Sequence, residues 1–306
     1  MPEISAPEQT DELRHSERVS LTIADLDRGF RLKSRTATAL TFPLLYGQFG
    51  ANVDVTALRA AGNGSVLTYA EHERTGGPLA VGAPMDVDLA IRHSELSGAG
   101  LGDPAARLGF ECRYDLRSPI GTGDPKRYRD IADPTPSPCG HGRLVLTLIR
   151  PFGPITRRLV REPLPETAHL RVHPLDPPHP TVEELSTVPG ALTEATPANV
   201  ESAGWFGLQH TDTNQYVFSA ELLRLLEDHA TLLVGDAGLA VAGHTFEKVA
   251  ALFKKPFEAG SRYVVRGRLW TDEQISLAIV GIHQVSEDGV APQPAVYGRL
   301  QGRLDS

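Results

Sequence analysis

The chain is 306 residues long, 41% hydrophobic and 22% charged, a composition that suits a globular protein with room for two cores. A formal net charge of −8 argues against a nucleic-acid backbone as partner, and two cysteines, Cys112 and Cys139, are too few for a disulfide framework. No apolar run approaches the roughly 18–20 residues that span a bilayer, so no membrane partner is expected. The opening, MPEISAPEQTDELRHSERVS, lacks the basic-then-apolar profile of a secretory signal, and the expectation is a cytoplasmic protein.

In chain order, residues 1–17 read as a flexible tail. A first helix is expected over 41–62, weakened by Gly47 and Gly50. Strands follow at 65–73, 84–94, 106–116 and 142–150. In the second of these Met85, Val87, Leu89 and Ile91 alternate on one face. The stretch 121–140, rich in Gly, Pro and Asp, reads as an inserted loop. Residues 154–199 are punctuated by proline without sustained periodicity and read as a linker. Beyond it, VFSAELLRLLEDHATLLV (217–234) places Phe218, Leu222, Leu225, Leu226, His229 and Leu233 at helical spacing. Strands are then expected at 245–253, 262–270, 274–285 and 295–304.

The chain repeats itself. GGPLAVGAPMDVDLAIRH (76–93) matches KKPFEAGSRYVVRGRLW (254–270), with Pro78 opposite Pro256 and Gly82 opposite Gly260. HGRLVLTL (141–148) matches YGRLQGRL (297–304) in the same order, and the 121–140 insertion explains the drift between the two matches. The organisation that follows is a first lobe at 18–153, the linker at 154–199 and a second lobe at 200–306. The fold class is α+β, with an antiparallel sheet wrapped around one central helix in each lobe.

The chemistry-bearing groups concentrate in HTDTNQYVF (210–218), at the start of the second helix. Asp212, Thr213 and Asn214 are candidates for helix capping as well as for a role in binding or catalysis. His210 flanks the loop as a fallback base. His229, among leucines, reads as a core histidine. Glu71, His72 and Glu73 end a first-lobe strand that could face the second helix. CGHG (139–142) reads as a structural loop. No metal-ligand spacing, dinucleotide fingerprint, phosphate loop or nucleophile elbow occurs.

One helix sheathed by an antiparallel sheet, repeated in tandem, resembles the double-hotdog acyl thioesterases. DTNQYVF is similar to the Asp-x-Asn-Gln-His-Val-Asn pattern of acyl-carrier-protein thioesterases, matching at Asp212, Asn214, Gln215 and Val217. It departs at Tyr216, where the pattern has its histidine, and at Phe218, where it has the second asparagine. AELLRLLEDH resembles the helix of related acyl-CoA thioesterases. The resemblance implies hydrolysis of an acyl thioester of carrier protein or coenzyme A, without cofactor or metal. Asp212 and Asn214 would orient water and the thioester carbonyl. Tyr216 would donate a hydrogen bond, since a tyrosine is a poor base near neutral pH. His210, Phe218 and Glu71 would contact substrate, and Tyr46, in LLYGQFG (44–50), resembles a position in double-hotdog proteins of polyketide pathways. The corresponding first-lobe loop is expected near KSRTATALT (33–41), without a carboxylate. Two such chains could pair as a homodimer. The rival readings are dehydration or acyl transfer/decarboxylation on the same substrate class, and a non-catalytic acyl or carrier-protein binder.

Overall fold

The computed structural model describes residues 9–96, 106–151, 157–196, 200–211, 216–241 and 244–304. Its strands are β1 (Leu13–Ser20), β2 (Gly64–Arg74), β3 (Pro84–Glu95), β4 (Leu108–Gly121), β5 (Ile131–Ile149), β6 (Val172–Pro174), β7 (Thr193–Glu194), β8 (Val200–Trp205), β9 (His244–Phe253), β10 (Arg262–Thr271), β11 (Ile275–Ser286), β12 (Gly289–Val290) and β13 (Val296–Leu304). The helices are α1 (Ser34–Asn52), α2 (Val55–Ala60), α3 (Val182–Ser186) and α4 (Ser219–Asp236). No helix among the described residues is long and apolar enough to cross a membrane.

The sheet runs β1-β3-β4-β5-β2-β9-β13-β11-β10, with β8 and β7 both on β10. Where β2 meets β9, the pairing from Tyr69↔Leu252 to Glu73↔Lys248 makes the sheet continuous. On either side of that junction the order is the same. The first strand pairs with the third, the third with the fourth, the fourth with the fifth and the fifth with the second, with β8 in the place of β1. In each half the long helix lies between the first and second strands.

Period-2 alternation sets the inner face of the sheet. Met85, Val87, Leu89 and Ile91 are all buried, as their spacing predicts. The α4 stripe of Leu222, Leu225, Leu226, His229 and Leu233 is buried against the other half of the sheet. A fully buried leucine contributes about 1.5–3 kcal/mol relative to an exposed one, so this stripe alone fixes which face of α4 turns inward. The two long helices pack on each other, bringing Phe42 of α1 to 5.5 Å from Phe218, edge to face.

Four expectations are corrected. The segment read as a tail contains β1, paired with β3 from Leu13↔Ile91 to Ser20↔Pro84. The first helix begins at Ser34 rather than 41 and breaks at Val53. Its opening turns are rich in Ser and Thr, which read as loop residues. Within the helix, however, Thr38 and Thr41 satisfy their hydroxyls on the carbonyls of Ser34 and Ala37 and are buried. The 121–140 insertion is a hairpin arm, with β4 and β5 still paired at Gly121↔Ile131.

The fourth correction concerns the proline-rich linker, which is a strap across the sheet. It adds β6 in parallel to β3 and forms α3 behind a Thr181–Glu184 capping box. Leu175 and Leu185 of the strap are buried with Tyr69, Val145, Ala250 and Leu252. These are the side chains of the outer face, away from the long helices, where β2 and β9 join. Arg143 donates to the Pro177 carbonyl and Arg299 to those of Leu185 and Thr187.

Candidate functional site

Each long helix opens behind a loop of the same build. Before α4, a 3-10 turn at Leu208–His210 leads into a loop closed by a bridge between Thr211 and Val217. The loop is anchored on the β9–β10 turn: Val217 N donates to Phe257 O at 2.8 Å, Tyr216 bridges Glu258, and Gly260 N donates to Phe206 O at 2.7 Å. Before α1, a 3-10 turn at Ile23–Asp25 leads into a loop closed between Leu26 and Leu32. This loop is anchored on the β2–β3 turn, with Leu79 N donating to Phe30 O and Gly82 N to Leu21 O, both at 2.8 Å. Gly82 and Gly260, matched in the sequence repeat, both hold a positive φ, 83° and 85°.

At the α4 mouth the described residues provide no side-chain cap. Phe218 occupies the N-cap position and has no side-chain acceptor to offer. Its carbonyl accepts from Glu221 and Leu222, leaving the N–H groups of Ser219 and Ala220 without a partner among the described residues. The helix dipole and these donors together favour a negative group at this point. The N-cap position falls on Phe218 and not on a polar residue of the loop. Asp212 and Asn214 lie outside the described residues.

His210 accepts a hydrogen bond on Nδ1 from Gly207 N at 2.9 Å and sits edge-on to Phe206. A neutral ring so engaged carries its proton on Nε2 and can donate there, but it has no free lone pair to act as base. Phe218 lies against Phe42, and Tyr46 stacks on the same ring at 5.9 Å. The structure thus joins Tyr46 and Phe218 into one aromatic row that crosses from α1 to α4. Leu208 and Trp205 stand largely exposed at the rim.

Glu71 is not at this mouth. It shares the outer face with Tyr69, whose hydroxyl donates to it at 2.7 Å, and it pairs with Lys248 at 2.5 Å. Burial alone would raise its carboxyl, but the bonds from Lys248 and Tyr69 hold it below the usual range. The bulge between Leu67 and Tyr69 helps set which side chains of β2 turn inward. The inward groups are His72, buried and pushed down to about 3 by desolvation, and Arg74. His72 lies 3.2 Å from the Tyr114 hydroxyl. Arg74 is the β2 residue that reaches α4, pairing with Glu227 at 3.4 Å and with Asp27 at 2.7 Å.

His229 stands where the sequence places it, whereas CGHG (139–142), read as a loop, lies within β5, paired with β2 and β4. His229 is buried and binds Ser202 through Nδ1 at 2.9 Å. Cys139 is buried, its thiol pushed up to about 12 by desolvation, which suits no thiolate chemistry.

No family model and no curated protein matches this sequence. Solved structures do. An oleoyl thioesterase, as described, from Lactobacillus plantarum superposes with a TM-score of 0.65 at 16% identity, covering 96% of this chain and 97% of that one. The 12:0-ACP thioesterase from Umbellularia californica gives 0.61 at 10% identity, covering 95% and 94%. An acyl-ACP thioesterase from Bacteroides thetaiotaomicron gives 0.59 at 11% identity, covering 94% and 97%. The chain has the hotdog fold of these thioesterases. At such identities the likeness speaks for the fold. In hotdog terms, the long helices are the two sheathed elements and the candidate site is the N-terminal mouth of the second.

Arg74, Asp27, Glu227 and Phe42 were not singled out by the sequence. The closing bridges Leu26↔Leu32 and Thr211↔Val217 set LDRGFRL (26–32) over TDTNQYV (211–217), with Asp27 opposite Asp212; the sequence offset of the Gly82/Gly260 match does not reach this register.

Proposed function

We propose that this chain is a tandem hotdog protein that hydrolyses an acyl thioester of carrier protein or coenzyme A at the mouth of α4. The first unit runs from about Leu13 to 153 and the second from 200 to 306. The observation that supports the reading is the N-terminus of α4, whose Ser219 and Ala220 N–H groups have no partner among the described residues, on a fold shared with thioesterases. Such donors match the charge that grows on a thioester carbonyl oxygen as water adds to its carbon. Asp212, by its place in the loop, takes a proton from that water, and Asn214 orients the carbonyl. The carbon–sulfur bond then breaks, the departing sulfur takes that proton back from Asp212 to give a thiol, and the carboxylic acid formed releases its own proton to solvent as it becomes a carboxylate. Tyr216 donates a hydrogen bond, and the Phe218–Phe42–Tyr46 row guides the apolar chain.

The same aromatic row favours a second reading, an acyl-binding protein without chemistry. One experiment separates the two. The purified chain is incubated with a panel of acyl-CoA and acyl-carrier-protein thioesters while free thiol and product mass are followed. Thiol release that disappears in Asp212→Ala supports hydrolysis. Release that persists in that variant refutes the assignment at this mouth, and no release across the panel turns the reading to the binder.

A further inference from the structure

The two mouths share a 3-10 turn and a closing bridge and differ in charge. The bridges Leu26↔Leu32 and Thr211↔Val217 put the loops in register. Arg31 then stands where the other mouth has Tyr216, Lys33 where it has Phe218, and Arg35 where it has Ala220. With Arg28, four cations fall within 28–35 of a chain whose net charge is −8. They gather at the positive end of a helix dipole, the end that disfavours them. No acidic residue lies in the first turn of α1, and Lys33 at its N-cap provides no side-chain cap.

This mouth opens on a cleft of about 300 Å³ bounded by α1, α4 and β9, a size at the small end of ligand pockets. Lys33, Arg35 and Arg224 line it, as do Val234, Val241 and Phe246. Arg224 and Val234 are separated along α4 by roughly 15 Å at the helical rise. The cleft is therefore elongated, with charge toward the start of α4 and Val234, Val241 and Phe246 toward its end, beside Thr231, His244 and Thr245.

The carboxylates in the cleft are already engaged. Asp27 and Glu227 are paired with Arg74, and Asp228 with Arg224. Burial also raises the Glu227 carboxyl against the pull of Arg74, which lessens the negative charge on the floor. Arg74 is itself 7% exposed, lines the cleft, and has its Nε buried without a partner among the described residues. Among the described residues the Lys33 ammonium donates to the Ala24 carbonyl, and Arg35 has no partner.

From this we infer that the mouth of α1 is a second ligand site, taking a linear apolar chain with a carboxylate head. The head sits on Lys33 and Arg35 at the helix N-terminus, and the tail runs along α4 to Val241 and Phe246. The inference stands whether or not the α4 mouth hydrolyses thioesters. If it does, the ligand class is that of the acid it releases.

Calorimetric titration of the full chain with decanoate tests this, alongside decanol, which has the tail without the charge, and acetate, which has the charge without the tail. Decanoate should bind at least tenfold more tightly than either. The double variant Lys33→Ala/Arg35→Ala, on half-buried side chains that leave the core intact, should weaken decanoate at least tenfold. Val241→Asp, at the far end, should do the same. The site is overturned if decanoate does not bind, if decanol or acetate binds equally well, or if both variants bind as the parent does. It is also overturned if binding is lost in Phe218→Ala, at the other mouth, and kept in the double variant.

Discussion

Replacing Arg74 with methionine should expose how strongly β2 and α4 are tied together. The guanidinium is 7% exposed and holds two carboxylates, Asp27 at 25% and Glu227 at 16% side-chain exposure. Methionine fills similar volume but leaves both acids without their counter-charge. Removing one partner of a buried ion pair costs about 3–5 kcal/mol, because the remaining charge stays desolvated. For a chain of this length, 1 kcal/mol moves the melting temperature by about 2 °C, so Arg74→Met should melt roughly 6–10 °C below the parent.

The same ion-pair cluster gives a pH signature. Burial raises the folded-state carboxyl of Glu227 above its ordinary 4.5, and Arg74 works against that rise. The fold therefore favours the protonated form. Glu227's contribution is fully present below the unfolded value and is lost as pH rises through the folded one. Melting should accordingly be followed by circular dichroism from pH 4.5 to 8 in the parent, Arg74→Met and Glu227→Gln. The Gln variant should gain on the parent as pH rises. Arg74→Met, whose Glu227 has lost the opposing arginine, should fall furthest at high pH. A melting temperature for Arg74→Met within 2 °C of the parent at pH 7, or no pH-dependent gap between parent and Gln, would refute the reasoning.

Other substitutions have equally definite outcomes. Leu226→Ala removes a fully buried leucine from the inward stripe of α4 and should cost about 2.7–5 kcal/mol in urea denaturation; a loss below 1 kcal/mol would mean the stripe repacks freely. Gly142→Ala would put a methyl group into the Tyr114 ring and the Glu71 carbonyl, and should destabilise by about 1–3 kcal/mol, read as an unchanged denaturant slope with a lower midpoint. Glu71→Gln weakens a pair whose lysine is 43% exposed and should cost under about 1 kcal/mol. Because its carboxyl is depressed, that cost should shrink as pH falls through the folded value. Thiol release, if present, should be unaffected, and a large loss would put Glu71 back at the reacting centre.

What the sequence disclosed follows from how each element is held. α4 and β3 bury one regular face each, so their periodicity spells out Leu222–Leu226–Leu233 and Met85–Val87–Leu89–Ile91 directly. The matched Pro and Gly of the two turns were readable because a positive φ admits few residues, and Gly82 and Gly260 prove to share it. α1 was placed too late because its first turns bury Thr38 and Thr41, whose hydroxyls bond back along the same helix. That single misplacement moved the first mouth from 26–32 to 33–41 and hid Asp27. The strap was unreadable for another reason: β6 and α3 are too short for any period, and what orders them is the outer face of a sheet assembled from residues far away in the chain. The inward turn of Arg74 and outward turn of Glu71 are set near a bulge between Leu67 and Tyr69, an irregularity in pairing that no single strand announces.

The continuous pairing of β2 with β9 also bears on how the molecule can change. Where two identical copies meet, any substitution is written twice, once at each equivalent position, and a change useful at one mouth must be tolerated at the other. Here both halves belong to one chain, and their association does not weaken on dilution. Each mouth can therefore mutate alone. Arg31, Lys33 and Arg35 on one side, facing Tyr216, Phe218 and Ala220 on the other, are the kind of asymmetry that only a covalently joined pair can accumulate.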